Sequence, residues 1–240
     1  MAKFHTQWTV FPHGPVEEID GGILSVEGEI RMPLGRFPRR MTVVRLSDGR
    51  TVIFSAVALS EPAMREIEKL GKPAFLVVPN GFHRTDAGPF KQRYPELKVI
   101  CPPGAKKRVE DAVPVDATSD ILADTALEFL IVPGLGESEG ALIVRRNGRT
   151  TLILNDIISN VRHPQGIGAN IMARLFGFGV HGPRMAREVK WFFVKDKPAL
   201  AAQLRDWAAI ADLARIIPSH GEIIDRPKPV LERVAKALAG

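Results

Sequence analysis

The chain has 240 residues, of which 45% are hydrophobic and 25% are charged, and its formal net charge is +6. This length suffices for one sizeable core, no apolar run reaches the roughly 20 residues of a membrane-spanning helix, and the single cysteine, Cys101, excludes an intrachain disulfide. The start lacks the apolar core of a secretory signal, so these features together predict one cytoplasmic domain over residues 1–240, away from membranes.

The first third of the chain is predicted to consist mainly of β-strands. The strand candidates are Trp8–Phe11, Leu24–Met32, Met41–Leu46 and Thr51–Ser55. Asp48 and Gly49, between the last two candidates, are typical of a hairpin turn. A helix follows, with Ser60 as its N-cap and Gly71 after its end.

Strands and helices then alternate before the pattern returns to strands. Strand Phe75–Val78 leads to a helix around Pro89–Tyr94, and strand Lys98–Cys101 leads to a helix in "PPGAKKRVEDA". Three strands come next in succession: Leu127–Val132, Ala141–Arg145 and Thr151–Leu154. Asn147-Gly148 predicts a hairpin between the last two.

The last third begins with a Gly- and Arg-rich region, residues 160–190, that shows no clear periodicity. Helical periodicity returns in "PALAAQLRDWAAIADLAR", followed by strand Arg215–Ile217 and a final helix from Pro229 to Leu238. The elements come in the order strands, a βαβ unit, further strands and a βα unit. This order favours the α/β class, and within it an αβ/βα four-layer sandwich of two mixed β-sheets with outer helices.

Three polar residues follow apolar runs: His83 in "FLVVPNGFH", Asp156 in "TLILND" and His220 in "ARIIPSH". If the strand ends converge at one sheet edge, these side chains meet. Two imidazoles and a carboxylate are a sufficient ligand set for Zn²⁺, with Fe²⁺ or Mn²⁺ as alternatives. The other interpretation is that each is an ordinary polar residue at a strand end, with no metal bound.

The order of these segments resembles the metallo-β-lactamase superfamily over roughly residues 40–225. That family has an H-x-H-x-D-H motif after a strand, a P-G-H turn, an Asp ending a strand and a late His followed by Gly. The matching segments here are "VVPNGFHRTDAG", "VPGLGESEG", "LILND" and "IIPSHG". The resemblance implies a sandwich of two sheets with His83, Asp156 and His220 as metal ligands, Asp156 also orienting the reacting groups.

The sequence departs from that family pattern in its metal-binding motif. Asn80 stands near the first His position, Asp86 is displaced, and Leu135 replaces the histidine of the P-G-H turn. Glu137 and Glu139 are the nearby ligand candidates. The resemblance is therefore to a divergent branch with a depleted motif, and it implies at most one metal ion.

Two other motifs fail when their context is considered. "GESEG", residues 136–140, matches the nucleophile elbow of serine hydrolases, but a hairpin pattern follows it where the elbow requires a helix. "GIGAN" does not directly follow a strand, as a dinucleotide-binding loop must.

Cys101 ends an apolar run and is interpreted as a buried small side chain rather than a nucleophile.

Two functions remain open at this point. The first is a metal-dependent hydrolase that uses a metal-activated water on an ester, lactone, amide or phosphoester. The second is a non-catalytic module of the same fold that has lost its metal and binds an anionic ligand or a protein partner. Arg162, Arg174, Arg184 and Arg187 suit an anionic small molecule in either case.

Basic residues are scattered along the chain, and aromatic residues make up 7% of it. This pattern favours a solvated basic surface over nucleic-acid binding. We also expect that the chain forms either a monomer or a homodimer.

Overall fold

The computed structural model describes residues 4–32, 35–164 and 166–239. They form four layers, in the order helices, sheet, sheet, helices. The predicted αβ/βα sandwich of two mixed sheets is thereby confirmed. Within the described ranges, no helix has both the length and the apolar character that crossing a bilayer requires.

The first sheet has six strands in sequence order. They are β1 (Glu17–Asp20), β2 (Ile23–Met32), β3 (Gly35–Arg45), β4 (Thr51–Phe54), β5 (Pro73–Val77) and β6 (Lys98–Ile100). Strands β1 to β4 pair antiparallel, whereas β4, β5 and β6 run parallel. The C-terminal ends of β4 and β5 therefore reach the same edge of the sheet.

The second sheet has four strands in the order β10-β9-β8-β7. They are β7 (Leu127–Ile131), β8 (Gly140–Arg146), β9 (Arg149–Leu154) and β10 (Leu213–Pro218). Strand β10 is parallel to β9, and the other pairs are antiparallel. The β8–β9 hairpin forms as predicted, with positive φ at Asn147 and Gly148.

Of the six α-helices in the described residues, five cover the outer faces of the sheets, and short 3₁₀ and π-helical segments occupy Pro103–Ala105 and Val189–Phe193. The helices are α1 (Glu61–Leu70), α2 (Ala87–Arg93), α3 (Lys106–Val109), α4 (Ile167–Phe176), α5 (Lys197–Ala209) and α6 (Pro227–Ala239). The first three pack on the first sheet, and α5 and α6 pack on the second. Helix α4 packs on the β2–β3 hairpin, where Ala169 and Ala173 contact Phe37.

Strand β4 shows how the sequence builds these layers. Side chains alternate between the faces of a strand, so Ile53 packs towards the helices while Val52 and Phe54 pack between the two sheets. All four residues of β4 are buried because both faces are covered. This explains why an interior strand reads as a continuous apolar run rather than an alternating one.

Several element boundaries differ from the sequence predictions. The predicted strand Trp8–Phe11 is wrong: these residues lie in no strand, and the Trp8 indole N–H donates to Leu59 O at 2.9 Å while its ring packs on Phe90. Strand β1 was not predicted, because "EEID" is too polar to look like a strand. The helix predicted to reach Arg215 ends at Ala209, since Leu213 already begins β10.

Candidate metal centre

His83, Asp156 and His220 meet at one edge of the sandwich, as predicted. Asp156 lies two residues beyond β9 and His220 two residues beyond β10. These strands are parallel with Leu154 opposite Pro218, so the residues that follow them are neighbours. His83 approaches from the other sheet, on the loop after β5.

The side-chain atoms of this triad are spaced as metal ligands are. His220 Nε2 lies 3.1 Å from Asp156 Oδ1, and His83 Nε2 lies 3.5 Å from the same oxygen. The two Nε2 atoms are 3.2 Å apart. A tetrahedral ion with bonds of about 2.1 Å separates its ligand atoms by about 3.4 Å. Two imidazole nitrogens and one carboxylate oxygen at this spacing fit a single Zn²⁺ or a similar divalent ion.

Each imidazole is oriented through its other ring nitrogen. His220 Nδ1 lies 2.8 Å from Pro38 O. Because a carbonyl oxygen only accepts, Nδ1 carries a proton, and Nε2 is the ring nitrogen that faces Asp156. His83 Nδ1 lies 2.8 Å from Ser55 Oγ. Such partners fix the ring orientation and tautomer of metal-binding histidines.

Ser55 occupies an unusual backbone conformation directly after β4. Its φ is +58°, in the left-handed region that non-glycine residues seldom adopt. Such conformations cost of order 1–3 kcal/mol and cluster at functional sites. Here the conformation places the hydroxyl of a buried serine against His83.

The charges in the triad favour an ionised aspartate. Desolvation acts to raise the pKa of Asp156, but the charges and hydrogen bonds of His83 and His220 hold it well below its usual range. Desolvation dominates at His83 and lowers its pKa. At His220 desolvation acts to lower the pKa, but the hydrogen bond to Asp156, the charge of Asp156 and the hydrogen bond to Pro38 O together raise it. The pKa of Asp156 is thus shifted in the direction that favours its ionised form.

Asn80 connects the triad to a second carboxyl group. Its amide nitrogen donates to Asp156 Oδ2 at 2.7 Å and to Glu139 Oε2 at 2.9 Å. Its amide oxygen accepts from the backbone N–H groups of Phe82 and His83, at 2.9 and 3.2 Å. One side chain thus positions both Asp156 and the loop that carries His83.

Glu139 supports the triad without belonging to it. Its Oε1 accepts from the backbone N–H of Asp156 at 3.0 Å. Burial, and then the negative charge of Asp156, raise the pKa of Glu139 well above its usual range. The other ligand candidate from the sequence, Glu137, is exposed on the β7–β8 turn.

The loop after β10 is held to β3 on both sides of His220. Arg40 N donates to Ser219 O at 2.7 Å, and the Arg40 guanidinium donates to Gly221 O at 3.2 Å. Gly221 has φ +94°, and a Cβ there would lie 2.1 Å from Asn160 O. Only glycine fits this approach, which explains the "HG" pair of the sequence.

Asp86, the displaced aspartate of the motif, has a structural environment. It is completely buried and pairs with the Arg39 guanidinium, while His5 Nδ1 lies 2.6 Å from its other oxygen. The backbone N–H of Ala58 donates to it at 3.3 Å. Both oxygens are therefore occupied by cationic or N–H partners, and Asp86 is not part of the triad.

Glu188 was not predicted from the sequence to be influenced by the triad. It is half-buried, and burial together with the charge of Asp156 raises its pKa. The roles of Ser55, Pro38 and Arg40 were not predicted either, because each contacts the triad or its loops from a distant part of the chain. Asn80 and Glu139 lie within the motif segments, so the sequence placed them near the site. Their hydrogen bonds to Asp156 could not be predicted from it.

A pocket of about 140 Å³ opens beside the triad. Asn80 and Asp156 lie on one side of it. Its apolar walls are Phe82, Leu135, Ile157, Val189 and Phe193. The exposed Arg108 also lines it, with its guanidinium carbon 4.4 Å from the Phe82 ring centre. The pocket therefore joins an apolar wall to the candidate metal centre, with a cation at its rim.

The serine-elbow motif is accidental, as the sequence context indicated. Ser138 lies in the turn between β7 and β8, and its hydroxyl donates to Gly136 O at 3.0 Å. A strand follows it instead of the helix that an elbow needs. The Ser138 hydroxyl is thus hydrogen-bonded within the turn.

Comparisons with known proteins identify the fold. No protein-family model matches the chain, and no curated protein matches it in sequence. Among solved structures, DIM-1 metallo-β-lactamase exposed to ceftazidime is similar with a TM-score of 0.63 and 15% identity, covering 95% of this chain and 99% of that one. A metallo-β-lactamase from Hirschia baltica has a TM-score of 0.62 and 14% identity, covering 94% and 98%.

A third similar structure is FIM-1 metallo-β-lactamase from Pseudomonas aeruginosa in its mono-zinc form. Its TM-score is 0.57 at 15% identity, and the match covers 95% of this chain and 98% of that one. At such identities the likeness shows the fold alone. The chain therefore has the metallo-β-lactamase fold, as its motif order predicted.

Proposed function

We propose that this protein is a metal-dependent hydrolase in which His83, Asp156 and His220 hold one divalent ion, with Zn²⁺ as the leading candidate. The observation that carries the proposal is the ligand-like spacing of the three side chains, 3.1 to 3.5 Å. A divalent ion with three protein ligands supplies an activated water at neutral pH and polarises the scissile bond. The mono-zinc form of FIM-1 supports the use of this fold with a single ion.

The remaining residues of the centre keep the ligands in place. Asn80 holds Asp156 Oδ2, which leaves Oδ1 facing the imidazoles. Glu139 Oε1 accepts from the backbone N–H of Asp156 and so fixes the start of the loop that carries it.

The pocket beside the centre indicates the substrate. An apolar cavity of about 150 Å³ holds benzene, so the pocket of about 140 Å³ accommodates an aryl group or a short acyl chain. Arg108 at its rim favours a substrate that also carries a negative charge. We therefore propose an ester, lactone, amide or phosphoester with a small apolar group on one side of the scissile bond.

A second candidate function is a binding module without catalysis. It is favoured by Leu135, which is buried in the pocket wall where the family motif has a histidine, and by Asn80, which replaces another. In this case the pocket would bind an anionic small molecule without hydrolysing it. Metal binding distinguishes the two functions.

An activity screen of metal-reconstituted protein tests the proposal. The protein is stripped with chelator, loaded with Zn²⁺, Fe²⁺ or Mn²⁺, and assayed on matched phenyl and naphthyl esters, amides, lactones and phosphoesters. We expect hydrolysis of at least one class, lost in His220→Ala and kept in His181→Ala, which changes an exposed histidine outside the centre. The absence of both metal binding and hydrolysis would favour the binding module.

A further inference from the structure

A second cleft, of about 510 Å³, lies between residues 181–190 and helix α6. We call it the α6 cleft, and it shares no lining residue with the pocket at the metal centre. Met185, Val234 and Leu238 give it an apolar floor. Its volume lies within the usual range of small-molecule sites, about 300–1,000 Å³.

The rim of the α6 cleft is strongly cationic. Arg184, Arg187, Lys190 and Arg233 line it, together with His181. The residues that line the cleft include no carboxylate. Four permanent positive charges around one concavity concentrate the field and attract an anion.

Among the residues that the structure describes, the side-chain hydrogen bonds of these cations have uncharged acceptors. Arg187 donates to Leu175 O at 3.0 Å, Arg233 donates to Pro183 O at 2.8 Å, and Lys190 donates to Ala237 O. All three acceptors are neutral backbone carbonyls. Such bonds fix where the side chains lie but do not neutralise them, so the cleft remains positive.

Glu188, the carboxylate inside the 181–190 segment, does not neutralise the cleft either. It is not among the residues that line the cleft. Its chain neighbour Val189 lines the pocket at the metal centre instead, as does Phe193. The segment thus presents cations on one side and the wall of the catalytic pocket on the other.

We propose that the α6 cleft binds a small amphiphilic anion, meaning a carboxylate or phosphate ester that carries an apolar chain. The rim cations would hold the anionic head, since arginine side chains form strong bonds with carboxylates and phosphates. Met185, Val234 and Leu238 would cover the chain. This ligand site is independent of the proposed hydrolysis and requires no metal.

Isothermal titration calorimetry with four probes tests this site. The probes are octanoate, octyl phosphate, 1-octanol and inorganic phosphate, titrated into chelator-treated protein. We expect octanoate or octyl phosphate to bind at least about tenfold more tightly than 1-octanol and inorganic phosphate, because only they combine both features. The stronger of the two identifies the preferred head group.

Variants place the bound probe in the cleft. Arg187→Ala/Arg233→Ala is expected to weaken binding about tenfold or more, whereas Arg205→Ala, an exposed arginine on α5, leaves it unchanged. Ala237→Trp narrows the cleft without changing its charge and should also block binding. Circular dichroism melting of each variant verifies that it is folded.

Three results would overturn the proposal. One is the absence of binding by octanoate and octyl phosphate to wild type at millimolar concentrations. Another is equal binding of inorganic phosphate, which would show an anion site without an apolar part. The third is loss of binding in His83→Ala/His220→Ala but not in Ala237→Trp, which would place the ligand at the metal centre and leave the hydrolase proposal intact.

Discussion

Two aspartates of this protein, Asp156 and Asp86, show how surroundings decide what a carboxylate does. The side chain of Asp156 is 27% exposed and contacts two imidazoles whose other nitrogens are bonded elsewhere. The side chain of Asp86 is 0% exposed and is paired with Arg39 and His5. Asp86 has a permanent counter-ion, whereas the imidazoles that face Asp156 are charged only when protonated. The comparison supports a structural role for Asp86 and is consistent with the metal-binding role proposed for Asp156.

The largest expected effect on stability comes from Asp86→Ala. The substitution leaves the buried Arg39 without its counter-ion, and breaking a buried pair in this way costs about 3–5 kcal/mol. Urea denaturation in the presence of chelator measures the free energy of unfolding without a metal contribution. The matched control is Asp48→Ala, whose exposed pair with Arg50 contributes little to stability. Equal losses in the two variants would contradict the structural role of Asp86.

Asp156→Asn is expected to have the opposite effects, a large loss of metal affinity and a small loss of stability. Removing the anionic ligand should lower Zn²⁺ affinity at least about 100-fold, or about 2.7 kcal/mol. Unfolding in chelator should change less than in Asp86→Ala, because Asp156 is half-buried and has no arginine partner. Competition with a zinc-binding dye measures the affinity. Unchanged affinity would show that Asp156 is not a ligand.

Asn80→Ala extends the comparison to the residue that positions Asp156. The variant keeps all three ligands but frees Asp156 Oδ2 and the His83 loop. Loss of such an outer contact typically reduces metal affinity 10- to 100-fold, so the effect should be smaller than that of Asp156→Asn. Asn170→Ala, which removes hydrogen bonds to Pro164 and Gly166 outside the centre, serves as the control and should bind metal normally.

The smallest effect on stability is expected at Cys101. Its side chain is buried, as that of Asp86 is, but it carries no charge at neutral pH. Burial raises the pKa of its thiol to about 12. The unfolded thiol ionises near pH 9, so wild type should lose stability between about pH 9 and 12 as the unfolded state gains this ionisation. Cys101→Ala should show less of this loss and bind metal normally. Identical pH profiles of unfolding would contradict the burial of the thiol.

The sequence predicted the triad because each member follows a buried apolar strand. His83, Asp156 and His220 stand where parallel strands end, and strand ends of this kind converge in α/β folds. The roles of Ser55, Pro38 and Arg40 were beyond prediction from sequence. Each acts through a hydrogen bond to a residue far along the chain, and no local pattern encodes such a contact.

The fold was predicted where hydrophobic periodicity is strong and missed where tertiary contacts decide. Strand β1 is a polar edge strand that forms because β2 offers it a partner. Trp8 alternates with polar neighbours as strand residues do, but its indole instead packs on the α1–α2 layer. Helix α4 in the Gly- and Arg-rich region is positioned by Phe37 of β3.

The metal content of the purified protein tests the central claim most directly. Elemental analysis compares wild type with His83→Ala/His220→Ala, each purified without chelator and then incubated with excess Zn²⁺, Fe²⁺ or Mn²⁺ before gel filtration. We predict about one equivalent of one metal in wild type and none in the double variant. Wild-type protein that retains no metal after this treatment would contradict the single-metal centre and the hydrolase built on it.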